Sequence, residues 1–368
     1  MSSPHTSNGR LLHVDALKAL AAQAIVLHHL AAYGPLADAV HGLLPGLIEA
    51  LFRHGRLAVQ IFLVVGGFLS ARTLSRRGGL MQGSPMELLW RRYLRLALPF
   101  MAAVAVTLAC GALVRPWLPD LVPESVSLPQ LLAHGLLLHG VLGQEALTVG
   151  AWYVAADFQL FALLLLVMAL ARNLSLSKPL RQLAAPLLVL LLAVASLWGF
   201  NRVSALDDWG FYFFGSYGLG ALVHWIGLTK RPGRYLALLS AIALAGLAVE
   251  WRDRIAVALL AAWVLAWLQA RHQSGQPFLK GRMPEALAPL LAGAGTHSYA
   301  LFLVHYPILL LLNTLFVQQE MQGPLAGLSL MLLAWALANL AALPFYRWIE
   351  QPAGRLRVGR WLPSAQRA

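Results

Sequence analysis

The sequence predicts an all-α, polytopic membrane protein of about ten transmembrane helices, with both termini in the cytoplasm. Three observations carry that expectation. The 368 residues are 59% hydrophobic and only 12% charged, with a mean hydropathy of +0.67, far outside the range of soluble domains. Apolar runs long enough for a hydrocarbon core of roughly 30 Å recur at about 11–33, 57–74, 95–114, 151–171, 180–200, 209–228, 234–250, 254–270, 298–317 and 324–346. These runs are continuous and rich in Leu and Ala, unlike the short alternating segments of a membrane barrel. With the N-terminus inside, 21 of the 28 Lys and Arg fall on cytoplasmic segments and six on outer ones, Lys18 lying within the first run. The net charge of +13 therefore reports the positive-inside rule and a lipid bilayer, not a nucleic-acid partner. The division that follows is a cytoplasmic tail over 1–10, a membrane domain over 11–350 and a basic cytoplasmic tail over 351–368. The sole cysteine, Cys110, lies inside the third run, which excludes an intramolecular disulfide.

The first run, LLHVDALKALAAQAIVLHHLAAY, carries Asp15, Lys18, His28 and His29 where lipid favours none. Each ionisable group at a helix centre costs on the order of 3 kcal/mol. Eleven steps of about 100° bring His29 to within about 20° of Lys18, roughly 16 Å further along the axis, whereas His28 falls about 80° away. Asp15 lies one turn before Lys18 and pairs with it. The run is too long and too charged for a cleaved signal peptide and reads as a retained helix.

From Gly34 to Arg56 the mixed pattern predicts an amphipathic helix at the outer interface. Gly66 and Gly67 fall at the middle of the second span, where a helix or a ligand comes close. Arg91, Arg92 and Arg95 stand at the mouth of the third span; they serve either as an orientation signal or as a clamp for the phosphates of a cytoplasmic ligand. In the outer loop, Leu128 to Leu142 reads as an interfacial or re-entrant helix. His134 and His139 are five apart, a spacing that does not suit two ligands on one helical face, so no metal site is expected. The fourth span opens AWYVAADFQLF, which places Asp157 and Gln159 in apolar surroundings, and an intramembrane carboxylate is a functional candidate by default. The fifth to eighth spans read as scaffold, without internal repeats. The ninth holds Tyr299, His305 and Asn313, with Pro307 freeing a backbone carbonyl. In the last, Arg347 and Glu350 are three apart and pair at the inner interface.

Six of these features, in this order, resemble the acyltransferase 3 family: Asp15 to His29, Gly67 to Leu69, Arg91 to Pro99, Trp152 to Asp157, Ser298 to Pro307 and Glu350 to Pro352. The resemblance spans nearly the whole chain. It implies a multi-pass enzyme of a bacterial inner membrane that moves an acyl group, commonly acetyl, from cytoplasmic acyl-CoA to a hydroxyl of a surface glycan or lipid-linked glycan. No permanently bound cofactor is implied; acyl-CoA is a substrate. Some relatives carry an extra extracytoplasmic domain, so this chain is expected to act alone or with a separate periplasmic partner protein. By motif position His29 is the catalytic base and Lys18 its basic partner, with Asp15 and Asp157 beside them. Arg92 and Arg95, with Arg91 and Gly67, belong to donor binding, and Tyr299, His305, Trp152 and Glu350 are further site candidates. Lys18 stands where the family usually has Arg, and Asp157 where it usually has Glu.

The chemistry supports the same reading without the resemblance. A hydroxyl is a poor nucleophile at neutral pH and needs a base with the pKa of a histidine. A thioester oxyanion needs a donor, for which Lys18, Tyr299 or a backbone amide near Gly67 are candidates. The first, second, fourth and ninth spans are expected to line one membrane-embedded chamber. The competing class is a transporter of a small anion or lipid-linked intermediate that uses Lys18, Asp157 and His305 as its path.

Overall fold

The computed structural model describes residues 11–277 and 287–356; the expected tail over 1–10, residues 357–368, Lys280 and Arg282 lie outside the described residues. Among the described residues the chain is helical throughout, with no strand. Nine helical segments among the described residues are long and apolar enough to cross a membrane. Their helices are α1 (Leu12–Ala32), α4 (Val59–Leu74), α5 (Pro85–Val114), α7 (Ala151–Asn173), α8 (Lys178–Trp198), α10 (Pro232–Val249), α11 (Asp253–Gln273), α13 (Ser298–Gln318) and α14 (Pro324–Phe345). The remaining run, the sixth at 209–228, forms α9 (Gly210–Ile226), whose 17 residues cover only about 25 Å at 1.5 Å per residue.

Although short, α9 passes from one end of the bundle to the other. The turn before it and the turn after α10 meet at one end, where Arg202 pairs with Glu250 at 3.6 Å and Arg252 donates to Oδ1 of Asn201. At the other end, Trp225 of α9 donates to the Ser75 hydroxyl just beyond α4 at 3.0 Å. Almost every residue of α9 is buried, so this span is central rather than peripheral scaffold. Its tight crossing with α4 explains Gly67. A Cβ there would overlap the Tyr217 carbonyl oxygen, and one at Gly220 would overlap the Val64 carbonyl oxygen. Two glycines therefore let the backbones touch, and Gly67 faces α9 instead of a ligand.

Three local expectations change. The single interfacial helix over 34–56 is two helices, α2 (Pro35–His41) and α3 (Pro45–His54). Each opens on a proline, whose missing N–H suits a first turn and no later one. Helix α5 begins at Pro85, with Glu87 in its first turn, so Arg91, Arg92 and Arg95 sit inside the helix, beyond its mouth. The Arg347–Glu350 pair does not form. Residues Tyr346–Glu350 adopt a π-helical turn, which spreads each turn over more residues and takes positions three apart off a common face. The segment 128–142 forms α6 (Leu128–Gly135), opened by a capping box in which Ser127 and Gln130 bond each other's backbone. A short helix, α12 (Leu287–Thr296), lies along α1, with Gly295 against the backbone of Asp15.

Candidate active site

Of the cavities that enter the bundle among the described residues, one is lined from the C-terminal half of α1 and another from its N-terminal half. The first encloses about 860 Å³ and contains His29. The 100° geometry of α1 turns His29 inward, and α13 brings His305 to meet it. Nδ1 of His29 and Nε2 of His305 share a hydrogen bond at 2.7 Å, and the rings lie nearly parallel, 4.9 Å apart. Both imidazoles are buried. Nδ1 of His305 is buried with no hydrogen-bond partner among the described residues. A proton on that Nδ1 makes Nε2 the acceptor of the shared bond, and His29 then keeps a lone pair on its own Nε2. His28 is engaged elsewhere, since its Nδ1 meets the Leu51 carbonyl at 3.1 Å and its ring lies against Phe52. Trp152 is exposed at the mouth of this cavity.

Gln60 of α4 also lines the histidine cavity. Its side-chain oxygen accepts from the Ser216 hydroxyl at 2.7 Å, which fixes the amide and leaves its two N–H donors for the cavity. A lone polar residue in the run VQIFLVV was the only sequence signal of this position.

The second cavity encloses about 980 Å³ and collects most of the other candidates: Lys18, Arg91, Arg92, Arg95, Asp157, Tyr299 and Glu350. Lys18 pairs with Asp15 at 3.3 Å, as the spacing predicts. Arg92 is committed to Asp157: the guanidinium on α5 bonds the carboxylate on α7 and lies over the Phe161 ring at 5.4 Å. A buried cation beside a buried anion lowers the cost of both. Arg91 pairs with Glu87 on an exposed face. Arg95 has no ion pair among the described residues and opens onto the cavity. Glu350, carried inward by the π turn, is buried with one carboxylate oxygen unpartnered among the described residues. Tyr299 donates to the Leu96 carbonyl at 2.9 Å. Gly66, and not Gly67, faces this space; a Cβ there would stand 3.6 Å from Oδ1 of Asp157.

The two spaces do not merge into the single chamber that the sequence suggests. Tyr153 and Phe302 line both, their rings edge to face at 5.4 Å. The Phe302 ring occupies the place a side chain on Gly150 would take, 2.5 Å from a built Cβ, and Gly150 is held at φ +77. Lys18 and Tyr299, two of the expected oxyanion donors, thus lie on the far side of an aromatic septum from His29. Tyr153 belongs to the Trp152–Asp157 motif, but nothing in the sequence gives it or Phe302 the place of a wall between two spaces. Among the described residues no group of three metal-ligating side chains comes together.

A family model described as an acyltransferase domain matches residues 11–344, nearly the whole chain. No curated protein and no solved structure matches it.

Proposed function

Because the chain belongs to the acyltransferase 3 family, we propose that it is a membrane O-acyltransferase that takes an acyl group, in the first place acetyl, from acyl-CoA and passes it to a hydroxyl of a surface or lipid-linked glycan. The observation that carries this reading is the His29–His305 pair, whose His29 lines one cavity while the free cation Arg95 lines the other. The Lys and Arg bias along the sequence supports an arginine cavity on the cytoplasmic side, in this reading the inner face of a bacterial inner membrane. That is the side where a polyanionic donor is available, and Arg95 and Arg91 suit its phosphates. The histidine cavity then opens outward, toward the glycan.

In this reading Nε2 of His29 takes the proton of the acceptor hydroxyl, and His305 holds the imidazole in that tautomer by accepting from Nδ1. The hydroxyl oxygen bonds to the thioester carbonyl carbon, and the amide of Gln60 stabilises the negative charge that grows on the carbonyl oxygen. The C–S bond then breaks, and His29 returns the proton to the departing sulfur. Arg92, Asp157 and the Asp15–Lys18 pair shape the donor cavity.

Purified protein in lipid nanodiscs, given radiolabelled acetyl-CoA and candidate glycans, tests the reading. The expected result is protein-dependent thioester turnover that disappears in a folded His29→Ala variant. Failure to turn over any thioester, with or without acceptor, would leave transport as the better account.

A further inference from the structure

Tyr153 and Phe302 stand between the cavity that suits the phosphates of the donor and the cavity that contains the base. If the donor enters by one and the base waits in the other, as the proposed function requires, the thioester must pass between these two rings. We propose that Tyr153 and Phe302 form an aperture that selects the acyl group by cross-section, so that the natural acyl donor carries a narrow, unbranched group.

The rings meet edge to face at 5.4 Å, a separation at which two aromatic side chains are in contact and leave no passage between them. One of them must swing aside for each transfer. Tyr153 is also backed on the donor side by Phe62, at 5.8 Å between ring centroids. Phe302 is packed over Gly150 and lies one turn before His305, 6.1 Å from its ring. The aperture that a swinging ring would open is therefore bounded by packed side chains. A methyl or a methylene chain threads such a gap, and so does the unbranched arm that carries the thioester. An acyl group branched beside the carbonyl presents a second methyl at the point where the carbonyl must come to rest, and a close-packed wall resists even one extra methyl. Beyond the septum the cavity is wide, at about 860 Å³, so the restriction acts on breadth rather than on length. Once the carbonyl has arrived, the reaction is the one already written: the C–O bond forms, the C–S bond breaks, and the proton moves from hydroxyl to His29 to sulfur.

The experiment compares acetyl-CoA, hexanoyl-CoA and isobutyryl-CoA as donors for the wild-type protein and for Phe302→Ala, each in nanodiscs with the same acceptor. For the wild type, kcat/KM is expected to fall by about tenfold or more from a straight-chain to a branched donor, the usual value of one badly accommodated methyl. In Phe302→Ala the branched-to-acetyl ratio is expected to rise by about that factor, while the hexanoyl-to-acetyl ratio moves less. Should Phe302→Ala fail to fold, Phe302→Leu keeps the packing and is expected to shift the ratio in the same direction. A wild-type enzyme equally active on acetyl and isobutyryl donors overturns the aperture, and so does a folded variant whose ratio stays put. A wild-type protein inactive on every acyl-CoA instead overturns the reading of function on which the aperture rests.

Discussion

Arg92 and Asp157, 65 residues apart, form a part-buried ion pair that ties α5 to α7 at the wall of the second cavity. Sequence alone gave these residues separate tasks, a phosphate contact and a catalytic carboxylate. Their commitment to each other separates Arg92 from Arg95, which motif position had grouped.

Arg92→Ala is accordingly expected to act on stability first. Removing one partner leaves Asp157 charged and buried, which costs about 3–5 kcal/mol for fully buried pairs. The Arg92 side chain retains 23% exposure, so about 2–4 kcal/mol is the expectation here. Thermal melting in detergent reads this loss, and the double variant Arg92→Met/Asp157→Leu should recover most of it. Arg95→Ala is expected to melt near the wild-type temperature and to raise the KM for acyl-CoA by about ten- to a hundredfold, the worth of one hydrogen bond to a charged group. The same fall in melting temperature for both variants would return them to one class.

The histidines are expected to rank in a definite order. His29→Ala removes the base and should lower kcat by about 10²–10⁴-fold with expression and melting near normal. His305→Gln keeps a polar partner for Nδ1 of His29 and should cost less, mainly in kcat. His28→Ala, whose ring serves the Leu51 carbonyl, should cost least. Equal losses at His28 and His29 would contradict the geometry.

The number of helices and the inward face of α1 were legible because both follow from periodicity and charge within one segment. Lys18, Asp15 and His29 stand where an angle count along α1 puts them. What escaped the sequence depends on contacts between segments. The partner of His29 lies on α13 and that of Arg92 on α7, and no rule within one helix names either. Gly66 and Gly67 look alike in sequence, and only the crossing of α4 with α9 decides which of them meets a cavity. The π turn that carries Glu350 inward has no composition signal, and it undid a pairing argument built on α-helical spacing. Tyr153 and Phe302 acquire meaning only as the wall between two spaces.

The glycine pair offers a direct check on that distinction. Gly66→Ala places its methyl 3.3 Å from the Tyr217 ring and 3.6 Å from Oδ1 of Asp157, contacts that a small shift absorbs. It is expected to fold and to alter donor kinetics. Gly67→Ala drives a methyl into the Tyr217 carbonyl, which has no flexible end to move. Its expected outcome is loss of folded protein, with the Gly220→Ala variant failing in the same way; size-exclusion profiles of the solubilised proteins distinguish the cases. A folded Gly67→Ala with selectively weakened donor binding would restore that residue to the donor site.

The last prediction concerns a histidine outside the spans. His139 stacks on His134 at 4.2 Å beneath Phe100, and it is buried with neither ring nitrogen bonded among the described residues. His134 donates from Nδ1 to the Gln130 carbonyl and accepts the Leu147 N–H on Nε2, so it is held neutral and offers its neighbour nothing. Burial first, and His134 second, push the His139 pKa down from 6.5 to about 4. With the folded value below the unfolded one, the unfolded chain binds more protons between those limits. The stability tied to neutral His139 is thus complete above about pH 6.5 and drains away as pH falls toward about 4. His139→Phe keeps the stack and removes two unpaired polar atoms, each worth about 1–3 kcal/mol when buried. It is expected to raise the melting temperature at pH 8 and to flatten its decline between pH 6.5 and 4. A variant that melts lower than wild type at pH 8 would mean that His139 has a polar partner in the membrane-bound protein.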